Sequence, residues 1–454
     1  MSMHSAQLVE HLVGLKPALL DGPIGTHATM ALLDTLGCGL YGANQQWGRI
    51  LREQVLAEGS RGKATLFGES ITVAPSRAAL ANGTASHGFE LDDIIQGALV
   101  HPGAVVIPAA LAIAEHTGAS GERLLLGIVA GYEVTARLGL ALGAEHNTRG
   151  YHTTGVAGPI AATVAAGIVL GQPVETILSA MGIACSSAGG IKAFAQGTGG
   201  MVKRMHAGRA AETGVLACEL AQRGFTGPMA GVDGRFGLLE VIGGGDTDVI
   251  ALTRDLGEEY AISKVWVKAY PCCGLIHSVS HAIEAIRKET SLTPAEVKRI
   301  VVHTSRRAVE HNGEPNPQET MAAQYSIPYC AGAAVVKDPR DPAAFDAQGL
   351  CNTEIRRIAA LTQLRIDEKM DALYPAHFAA RVEVMLQGER RIERTVIDPH
   401  GTASDACDAA EIEAKFRLLT KPVKQPQRIN QVIDAVRTLR GAASVAAFSA
   451  ALHA

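Results

Sequence analysis

The sequence is poor in aromatic and in charged residues. Phe, Trp and Tyr make up 4% of the 454 residues and Asp, Glu, Lys and Arg 19%, whereas apolar residues make up 47% and glycine occurs 49 times. With so few large rings, the interior must be filled by small side chains, which let helices cross at short distances. The composition therefore favours a helix-rich protein, and its length exceeds what one compact core accommodates, which predicts at least two domains.

The sequence also lacks an excess of basic residues. Lys and Arg number 41 against 45 Asp and Glu, a formal net charge of −4. With this balance of charge, the composition does not indicate nucleic-acid binding, which is typical of proteins with an excess of basic residues. The sequence also contains no basic amphipathic stretch of the kind that binds membrane surfaces. We expect the partner to be a small molecule or a second copy of the chain.

Targeting, membrane-spanning and metal-binding signatures are missing as well. The start, MSMHSAQLVEHL, has no charged region followed by an apolar one, so no secretory signal is predicted. The uncharged run at residues 155–171 is rich in Ala and Gly and is predicted to be a buried core helix rather than a membrane span. The eight cysteines form no C-x-x-C pair, and adjacent Cys272 and Cys273 do not suit a zinc site. These features predict a reduced, cytoplasmic protein.

Residues 81–103, ANGTASHGFELDDIIQGALVHPG, concentrate titratable groups in a chain otherwise poor in charge. They contain two histidines and three carboxylates: His87, His101, Glu90, Asp92 and Asp93. A helix capped by Thr84 and starting near residue 85 would place His87 and Glu90 on one face. Either the acids form a solvated patch beside a core histidine, or the cluster is a catalytic wall with shifted pKa values. The cluster alone leaves both interpretations open.

Three further stretches carry chemistry. His101 precedes Pro102 and is expected on a loop just before a helix over residues 104–116, and His152 precedes a second helix start. The sequence GTGGMVKRMHAG places Lys203 and Arg204 in the first turn of a helix behind glycines, either as an anion site or as a structural helix entry. It is not a Walker loop, because the GK[ST] ending is absent.

The apolar period changes from 3.6 to 2 after residue 262. Residues 263–270 and 297–304 are predicted strands, residues 379–386 and 390–397 a hairpin, and residues 322–336 a helix that contains Tyr325. His277 begins another helix, and its spacing to His281 lacks the further ligands of a zinc site. The predicted fold is mainly α with an α+β second domain: an all-helical bundle domain over residues 1–262 and 399–454, and a smaller inserted α+β domain with a mostly antiparallel sheet over residues 263–398.

Five stretches, in order, resemble the MmgE/PrpD family, which includes 2-methylcitrate dehydratase, cis-aconitate decarboxylase and iminodisuccinate epimerase. They are NGTASHGFELDD, HPGAVVIPA, YHTTG, GGMVKRMHAG and KAYPCCGLIH. The resemblance implies a helical domain that includes the C-terminal tail, an inserted α+β domain, an active site in the cleft between them, no metal or organic cofactor, and a homodimer. It also implies a set of site residues: Glu90, Asp93, His101, His152, Lys203, Lys268, His277 and Tyr325.

The chain departs from the family pattern at three positions. Glu90 stands where many relatives carry Asp, Gly103 where a Ser often follows His-Pro, and Ala269 where a Pro is frequent. The longer side chain of Glu90 moves its carboxylate by about one carbon–carbon bond, which matters for proton transfer because that geometry is demanding. The departures bear on the decarboxylase and dehydratase assignments more than on the fold.

The sequence therefore predicts a cofactor-independent isomerase that epimerises a carbon next to a carboxylate in an amino-dicarboxylate such as iminodisuccinate. Lys268 is expected to work opposite His101 or His152 in two-base proton transfer, with Glu90 and Asp93 also catalytic. The cations and polar groups expected to hold the substrate are Lys203, Arg204, His277 and Tyr325. The alternatives are a lyase (dehydratase or decarboxylase) acting on a citrate- or aconitate-like tricarboxylate, and a catalytically silent protein that binds a polycarboxylate or serves as a scaffold.

Overall fold

The computed structural model describes residues 3–195 and 200–453. Helices dominate the first half and the tail of the described chain, and the strands concentrate in between. The helices are α1 His4–Val13, α2 Pro23–Gly42, α3 Gln46–Ala57, α4 Pro75–Ser86, α5 Gly103–Thr117, α6 Gly121–Ala141, α7 Glu145–Thr148, α8 Thr153–Leu170, α9 Val174–Cys185, α10 Met201–Gln222, α11 His277–Thr290, α12 Arg306–His311, α13 Thr320–Gln324, α14 Ile327–Val336, α15 Ala347–Leu350, α16 Thr353–Ala360, α17 Glu368–Leu373, α18 Ala409–Thr420, α19 Pro426–Thr438 and α20 Ala446–Leu452. The strands are β1 Ala64–Thr65, β2 Thr72–Val73, β3 Val297–Thr304, β4 Thr362–Ile366, β5 Ala380–Leu386 and β6 Arg391–Val396.

The chain divides into two compact units. The first unit comprises Met1–Gly88, Asp92–Val265 and Asp408–Ala454, and the second comprises Phe89–Leu91 and Trp266–Cys407. The C-terminal helices α18 to α20 thus belong to the same unit as the N-terminal helices. The three residues Phe89–Leu91, inside the first unit's sequence, group with the second unit. No periodicity in the sequence indicated this excursion.

The first unit is built on helices that cross closely, as the low aromatic content predicts. Helix α10 packs on α4 and α8, and α8 also packs on α5 and α6. Where α4 crosses α10, a Cβ added to Gly208 would lie 2.2 Å from the Leu80 carbonyl oxygen, so only glycine permits this approach. The unit also contains a short antiparallel ribbon of β1 and β2, so it is not entirely helical.

Two helices, α6 and α8, are long and apolar enough to cross a membrane by length and composition alone. Their most apolar windows are 94% and 89% buried inside the structure. Burial of this kind is typical of core helices, and it confirms the prediction for residues 155–171.

The tail is anchored to the first unit by packing and by charge. Helix α18 packs on α2, and Lys415 Nζ lies 2.7 Å from a carboxylate oxygen of Asp34. Burial raises the pKa of Asp34, and the Lys415 ammonium opposes this shift. The pair joins elements far apart in sequence at a site where an unpartnered carboxylate would be costly.

The second unit contains a four-stranded sheet in the order β4-β3-β5-β6. β3 pairs with β4 in parallel, and the β3–β5 and β5–β6 pairs are antiparallel, so the sheet is mostly antiparallel as predicted. Along β5 buried and half-buried residues alternate, which is the period-2 pattern that located the hairpin. The edge strand β4 was missed, because it is only five residues long and none of them is buried.

The predicted strand over residues 263–270 is wrong. Ala261–Lys264 form a 3₁₀ turn, and the residues that follow are extended without a paired strand. Val267 N–H donates to the Gly401 carbonyl oxygen at 3.0 Å, and no ladder continues from this bond within the described chain. The alternation in this segment records burial of Trp266 and Lys268, each 1% exposed, on one side of an extended chain.

Two predicted helices are also wrong in their bounds. The helix expected from residue 85 with Thr84 as its cap does not exist, because α4 ends at Ser86 and Glu90 has a left-handed backbone with φ 57°. The helix expected over residues 322–336 is interrupted at Tyr325. Ser326 starts α14 there, and its hydroxyl accepts the Tyr329 N–H at 3.0 Å.

Candidate active site

The loop that carries His101 is held by a buried network in the first unit. One carboxylate oxygen of Asp93 accepts the Gly103 N–H at 2.9 Å, and the other accepts the Tyr132 hydroxyl at 2.6 Å. His101 Nδ1 donates to the Asp93 carbonyl oxygen at 2.8 Å. A Cβ at Gly103 would lie 2.4 Å from Thr35 Oγ1, so glycine is required where α5 begins. His101 thus stands on the loop before α5, as predicted, and its ring orientation is fixed.

Asp92 joins two histidines into a hydrogen-bonded set, the Asp92 triad of His87, Asp92 and His101. One carboxylate oxygen of Asp92 lies 2.6 Å from His87 Nδ1 and 3.2 Å from His101 Nδ1. Burial by itself raises the pKa of Asp92, but the two imidazoles outweigh it and hold the pKa well below its usual range. Asp92 is therefore an anion at neutral pH, and both Nδ1 atoms carry protons, which leaves Nε2 of His101 for proton transfer.

His87 lies at the centre of the histidine cluster. Its ring centroid is 4.9 Å from that of His101 and 5.7 Å from that of His152. Burial lowers its pKa to about 4, against the opposing charge of Asp92. His87 is consequently neutral at physiological pH, and its buried Nε2 has no hydrogen-bond partner within the described chain.

His152 precedes the first residue of α8 and contacts a fourth histidine. Its Nδ1 lies 3.0 Å from Nδ1 of His206, and its ring also contacts Phe194 edge-on. Burial, and then the cationic groups around it, lower the pKa of His152 well below its usual value. Its backbone N–H donates to the Gly190 carbonyl oxygen at 2.9 Å, which fixes the residue at the helix start.

Lys203 and Arg204 lie in the first turn of α10, as predicted, and both are buried at 4% and 5% exposure. The guanidinium of Arg204 lies 3.9 Å from the ring centroid of Trp47, and its Nε donates to the Gly88 carbonyl oxygen at 2.6 Å. The positive charge of Lys203 contributes, after burial, to lowering the pKa of both His87 and His152. The glycine turn proposed as an anion site falls largely on residues 196–199, outside the described residues.

In the second unit Lys268 and Glu90 form a buried ion pair. Lys268 Nζ lies 3.5 Å from a carboxylate oxygen of Glu90, and the two residues are 1% and 5% exposed. Glu90 has a left-handed backbone with φ 57°, and Lys268 lies in a segment that is neither helix nor paired strand. Burying two opposite charges costs desolvation free energy. Buried ion pairs of this kind are therefore candidates for a role at a functional site.

His277 begins α11 and is fully buried, between Trp266 and Tyr270, with ring centroids 5.0 and 5.3 Å away. Its Nε2 lies 3.2 Å from the Cys272 carbonyl oxygen, and its Nδ1 has no hydrogen-bond partner among the described residues. Tyr325 is half-buried at the break between α13 and α14. These placements put His277 and Tyr325 in the same unit as Lys268 and Glu90.

The Asp92 triad could also be a metal site, because one nitrogen or oxygen atom from each of its three residues lies within 4.8 Å of the others. However, His87 Nδ1 and the Asp92 oxygen are only 2.6 Å apart. Two ligands of one tetrahedral zinc lie roughly 3.3 Å apart, given bond lengths of about 2.0–2.1 Å. The spacing is that of a hydrogen bond, so the described residues fit a proton-transfer set better than a metal centre.

The predicted site residues fall into two sets, one in each unit. The first unit contains Asp93, His101, His152, Lys203 and Arg204, and the second contains Glu90, Lys268, His277 and Tyr325. Sequence reasoning missed the site roles of four residues: His87, Asp92, Tyr132 and His206. A signal existed for His206, which follows Lys203 by three positions on a helix and so shares its face. No local signal distinguished Asp92 from Asp93.

The free energy of unfolding should depend on pH because Asp93 is buried. Burial, with a further contribution from the nearby Asp34, raises the pKa of Asp93 to about 7, whereas an unfolded aspartate titrates near about 3.9. Between these pH values the folded state binds more protons than the unfolded state, so the free energy of unfolding falls as pH rises from about 4 to about 7. Asp93→Asn should flatten this slope in urea denaturation series.

Glu115→Gln is the matched control for this measurement. Burial raises the pKa of Glu115 to about 7 as well, and its carboxylate accepts hydrogen bonds from the Thr65 N–H at 2.7 Å and from the Thr65 hydroxyl at 2.5 Å. It should flatten the same slope without changing activity, and the two effects should add. A pH slope in Asp93→Asn equal to that of the wild type would show that Asp93 is ionised in the fold.

Comparisons with known proteins identify both halves of the chain. A profile described as MmgE/PrpD N-terminal domain matches residues 6–250, and one described as MmgE/PrpD C-terminal domain matches residues 270–439. The chain is 28% identical over 469 residues to the cis-aconitate decarboxylase-like protein oryM of Aspergillus oryzae, an alignment covering 97% of this chain and 95% of that protein. It is 27% identical over 438 residues to the cis-aconitate decarboxylase of Aspergillus terreus, covering 91% and 88%. It is 28% identical over 362 residues to that of Homo sapiens, covering 77% and 74%.

Proposed function

Because the chain belongs to the MmgE/PrpD family, we propose that it is a lyase that decarboxylates a tricarboxylate resembling cis-aconitate. This is the alternative, not the leading prediction, of the sequence analysis. The relatives' names favour it over the epimerase, since the three relatives named above are described as cis-aconitate decarboxylases or as decarboxylase-like. The observation that carries the proposal is the Asp92 triad, which orients a proton donor for the carbon that loses its carboxylate.

The first unit supplies what this reaction requires. Loss of carbon dioxide leaves an electron pair on carbon that must be protonated, and the substrate's other carboxylates need cations nearby. Lys203 and Arg204 are buried cations in the first turn of one helix, and they can hold those carboxylates. His101, whose Nδ1–H is held by Asp92 and by the Asp93 carbonyl, presents Nε2 in a fixed direction.

Binding of a polyanion changes the protonation of this cluster. In the free protein His87 and His152 are held neutral mainly by burial. The negative charges of a bound tricarboxylate favour the protonated imidazole of His152, because opposite charges at short range raise a histidine pKa. The cation formed at His152 then pairs with the substrate's carboxylates, while His101, held by Asp92, is the proton donor. Asp93 acts in this scheme as a positioning residue for His101, since both of its carboxylate oxygens already accept hydrogen bonds.

The epimerase remains the second candidate function. Two-base epimerisation needs two proton carriers, and His101 and His152 are separate groups that both contact the ring of His87. The predicted participation of Lys268 and Glu90, His277 and Tyr325 in the same reaction stays a prediction, as do the homodimer and the cytoplasmic location.

An isotope experiment distinguishes the two functions. The protein is incubated in deuterated water with cis-aconitate, with a citrate-type acid and with iminodisuccinate, with and without EDTA, and products are followed by NMR and carbon dioxide release. The proposal predicts carbon dioxide from cis-aconitate, one deuterium in each product molecule, and no effect of EDTA. Deuterium entering an α-carbon without loss of carbon dioxide or water would instead establish an epimerase. Release of water alone would establish a dehydratase.

A further inference from the structure

We propose that Cys407 is a reactive thiol, activated by His400 and Asp405, that exchanges with small-molecule disulfides and becomes a mixed disulfide. These three residues, which we call the Cys407 triad, lie in the second unit, and none of them is among the site residues predicted from the sequence. The inference does not depend on the proposed function, because it concerns a sulfur nucleophile and not the binding of a carboxylate.

The contacts of the Cys407 triad join a carboxylate, an imidazole and a thiol in series. Oδ2 of Asp405 lies 3.3 Å from Nδ1 of His400, and Nε2 of the same ring lies 3.6 Å from Sγ of Cys407. An ionised carboxylate can only accept a hydrogen bond, so Nδ1 carries the ring proton and Nε2 is left as the acceptor for the thiol. A base beside a nucleophile, oriented by a third group, is the arrangement that activates thiols and hydroxyls.

The loop that carries the triad is closed by its own hydrogen bonds. The Gly401 N–H donates to the Asp405 carbonyl oxygen at 2.8 Å, and the Asp405 N–H donates to the Thr402 carbonyl oxygen at 3.1 Å. Gly401 has φ 99°, and a Cβ there would lie 2.0 Å from the Val267 carbonyl oxygen, so this turn requires glycine. The turn therefore brings Asp405 back to His400.

The imidazole of the triad is also fixed from the side of α11. The His400 N–H donates to Nδ1 of His281 at 3.1 Å, and the two ring centroids are 6.4 Å apart with planes inclined by 69°. The side chain of His400 is 15% exposed, and Cys407 is half-buried. The base is thus mostly shielded from water, while a small reagent can reach the thiol.

Other cysteines of the chain provide an internal comparison. Cys351 is exposed, and no histidine or carboxylate hydrogen-bonds to its thiol within the described chain. Two further cysteines are half-buried, and burial raises the pKa of the Cys185 thiol to about 12 and that of Cys273 to about 11. Access alone predicts that Cys351 reacts first, whereas the Cys407 triad predicts that Cys407 does.

The exchange uses one ring atom both to take and to return the proton. The Cys407 Sγ–H proton passes to Nε2 of His400, which leaves a thiolate, and the Asp405 carboxylate balances the imidazolium. The thiolate attacks one sulfur of the disulfide, so that a new S–S bond forms as the old one breaks, and the leaving thiolate takes the proton from Nε2. The products are a mixed disulfide at Cys407 and one small thiol, and the disulfide itself is the only oxidant.

The test is a time course of the full-length protein with oxidised glutathione, in which peptide mass spectrometry measures the mixed disulfide at each cysteine. Cys407 should react at least about 10-fold faster than Cys351, and His400→Gln should remove this advantage. Asp405→Asn should slow Cys407 by about 3-fold, a smaller loss because the Asp405 side chain is 51% exposed and water screens its charge. The control is His377→Gln, which removes an imidazole whose Nδ1 lies 2.8 Å from Asp398 Oδ1, and it should leave the rate at Cys407 unchanged.

The comparison of Cys407 with Cys351 in the wild type needs no substitution, so it stands even if His400→Gln does not fold. In each folded variant the rate at Cys351 should equal the wild-type rate. The proposal is wrong if Cys407 reacts no faster than Cys351, or if His400→Gln leaves the Cys407 rate unchanged. It is also wrong if Cys407 reacts only after EDTA is added, because its thiol would then be a metal ligand.

Discussion

Replacing Asp92 by asparagine is expected to lower kcat by about two to four orders of magnitude, the range typical of a lost general acid or base. The carboxylate accepts hydrogen bonds from both His87 Nδ1 and His101 Nδ1, and its charge balances the imidazolium form of His101. An asparagine can accept only through its amide oxygen and carries no charge. Both rings bond to the same carboxylate oxygen, so an amide oxygen in its place can still accept from both, but the lost charge disfavours the protonated state that the reaction uses.

The measurement is kcat and KM for Asp92→Asn on the acid that the isotope experiment identifies, with circular dichroism to verify folding. Asp434→Asn is the control, because it makes the same chemical change in an exposed residue of α19 that pairs only loosely with Arg437 at 3.5 Å. It should retain full activity. An Asp92→Asn enzyme within about 10-fold of the wild type would remove the triad from the proposed mechanism.

The second large effect is expected at Lys268. Lys268→Met leaves Glu90 as a buried carboxylate without its cation, which should lower the free energy of unfolding by about 3–5 kcal/mol. If Lys268 also contributes charge or protons to the reaction, kcat should fall by about 100- to 1,000-fold in the same variant. A loss of activity alone would therefore be ambiguous, since the variant is also destabilised.

A double substitution separates the two causes. In Lys268→Met with Glu90→Gln, the buried carboxylate that lost its cation is neutralised, so stability should recover while activity stays low. Urea denaturation gives the free energies of unfolding, and steady-state kinetics on the folded fraction gives kcat. Recovery of activity together with stability would show that the ion pair is structural and that Lys268 takes no part in the chemistry. Because Lys268 and the histidines belong to different units, this test also asks whether one reaction uses both sets.

Much of the architecture could be predicted because it follows from local patterns. The helix around residues 104–116 and the hairpin near residue 387 have clear periods, and the structure confirms them as α5 and the β5–β6 pair. The failures have a common cause. At residues 85–94 and 263–270 the backbone conformation is set by contacts with distant segments, such as Lys268 with Glu90, which local propensity does not encode.

The chemistry was predictable to the level of residue types and no further. Motif spacing correctly placed His101 on a loop, His152 at a helix start, and Lys203 in a first turn. The family resemblance pointed to Asp93 rather than Asp92 in the adjacent pair, although Asp92 is the carboxylate that contacts both imidazoles. Two neighbouring residues of the same type differ only in the direction of their side chains, and that direction is decided by the partners that fold against them.

By itself the sequence determined the fold class, the family, and the inventory of histidines, carboxylates and cations, because periodicity and motif order are properties of the chain. Only the tertiary structure decided which atoms meet: Asp92 with two imidazoles, and His152 with His206, 54 positions further along. It also decided protonation, since burial and neighbouring charge move the pKa of His87 to about 4 and that of Asp93 to about 7. Desolvation and short-range charge act through space and not along the chain, so they arise only once distant segments have packed together.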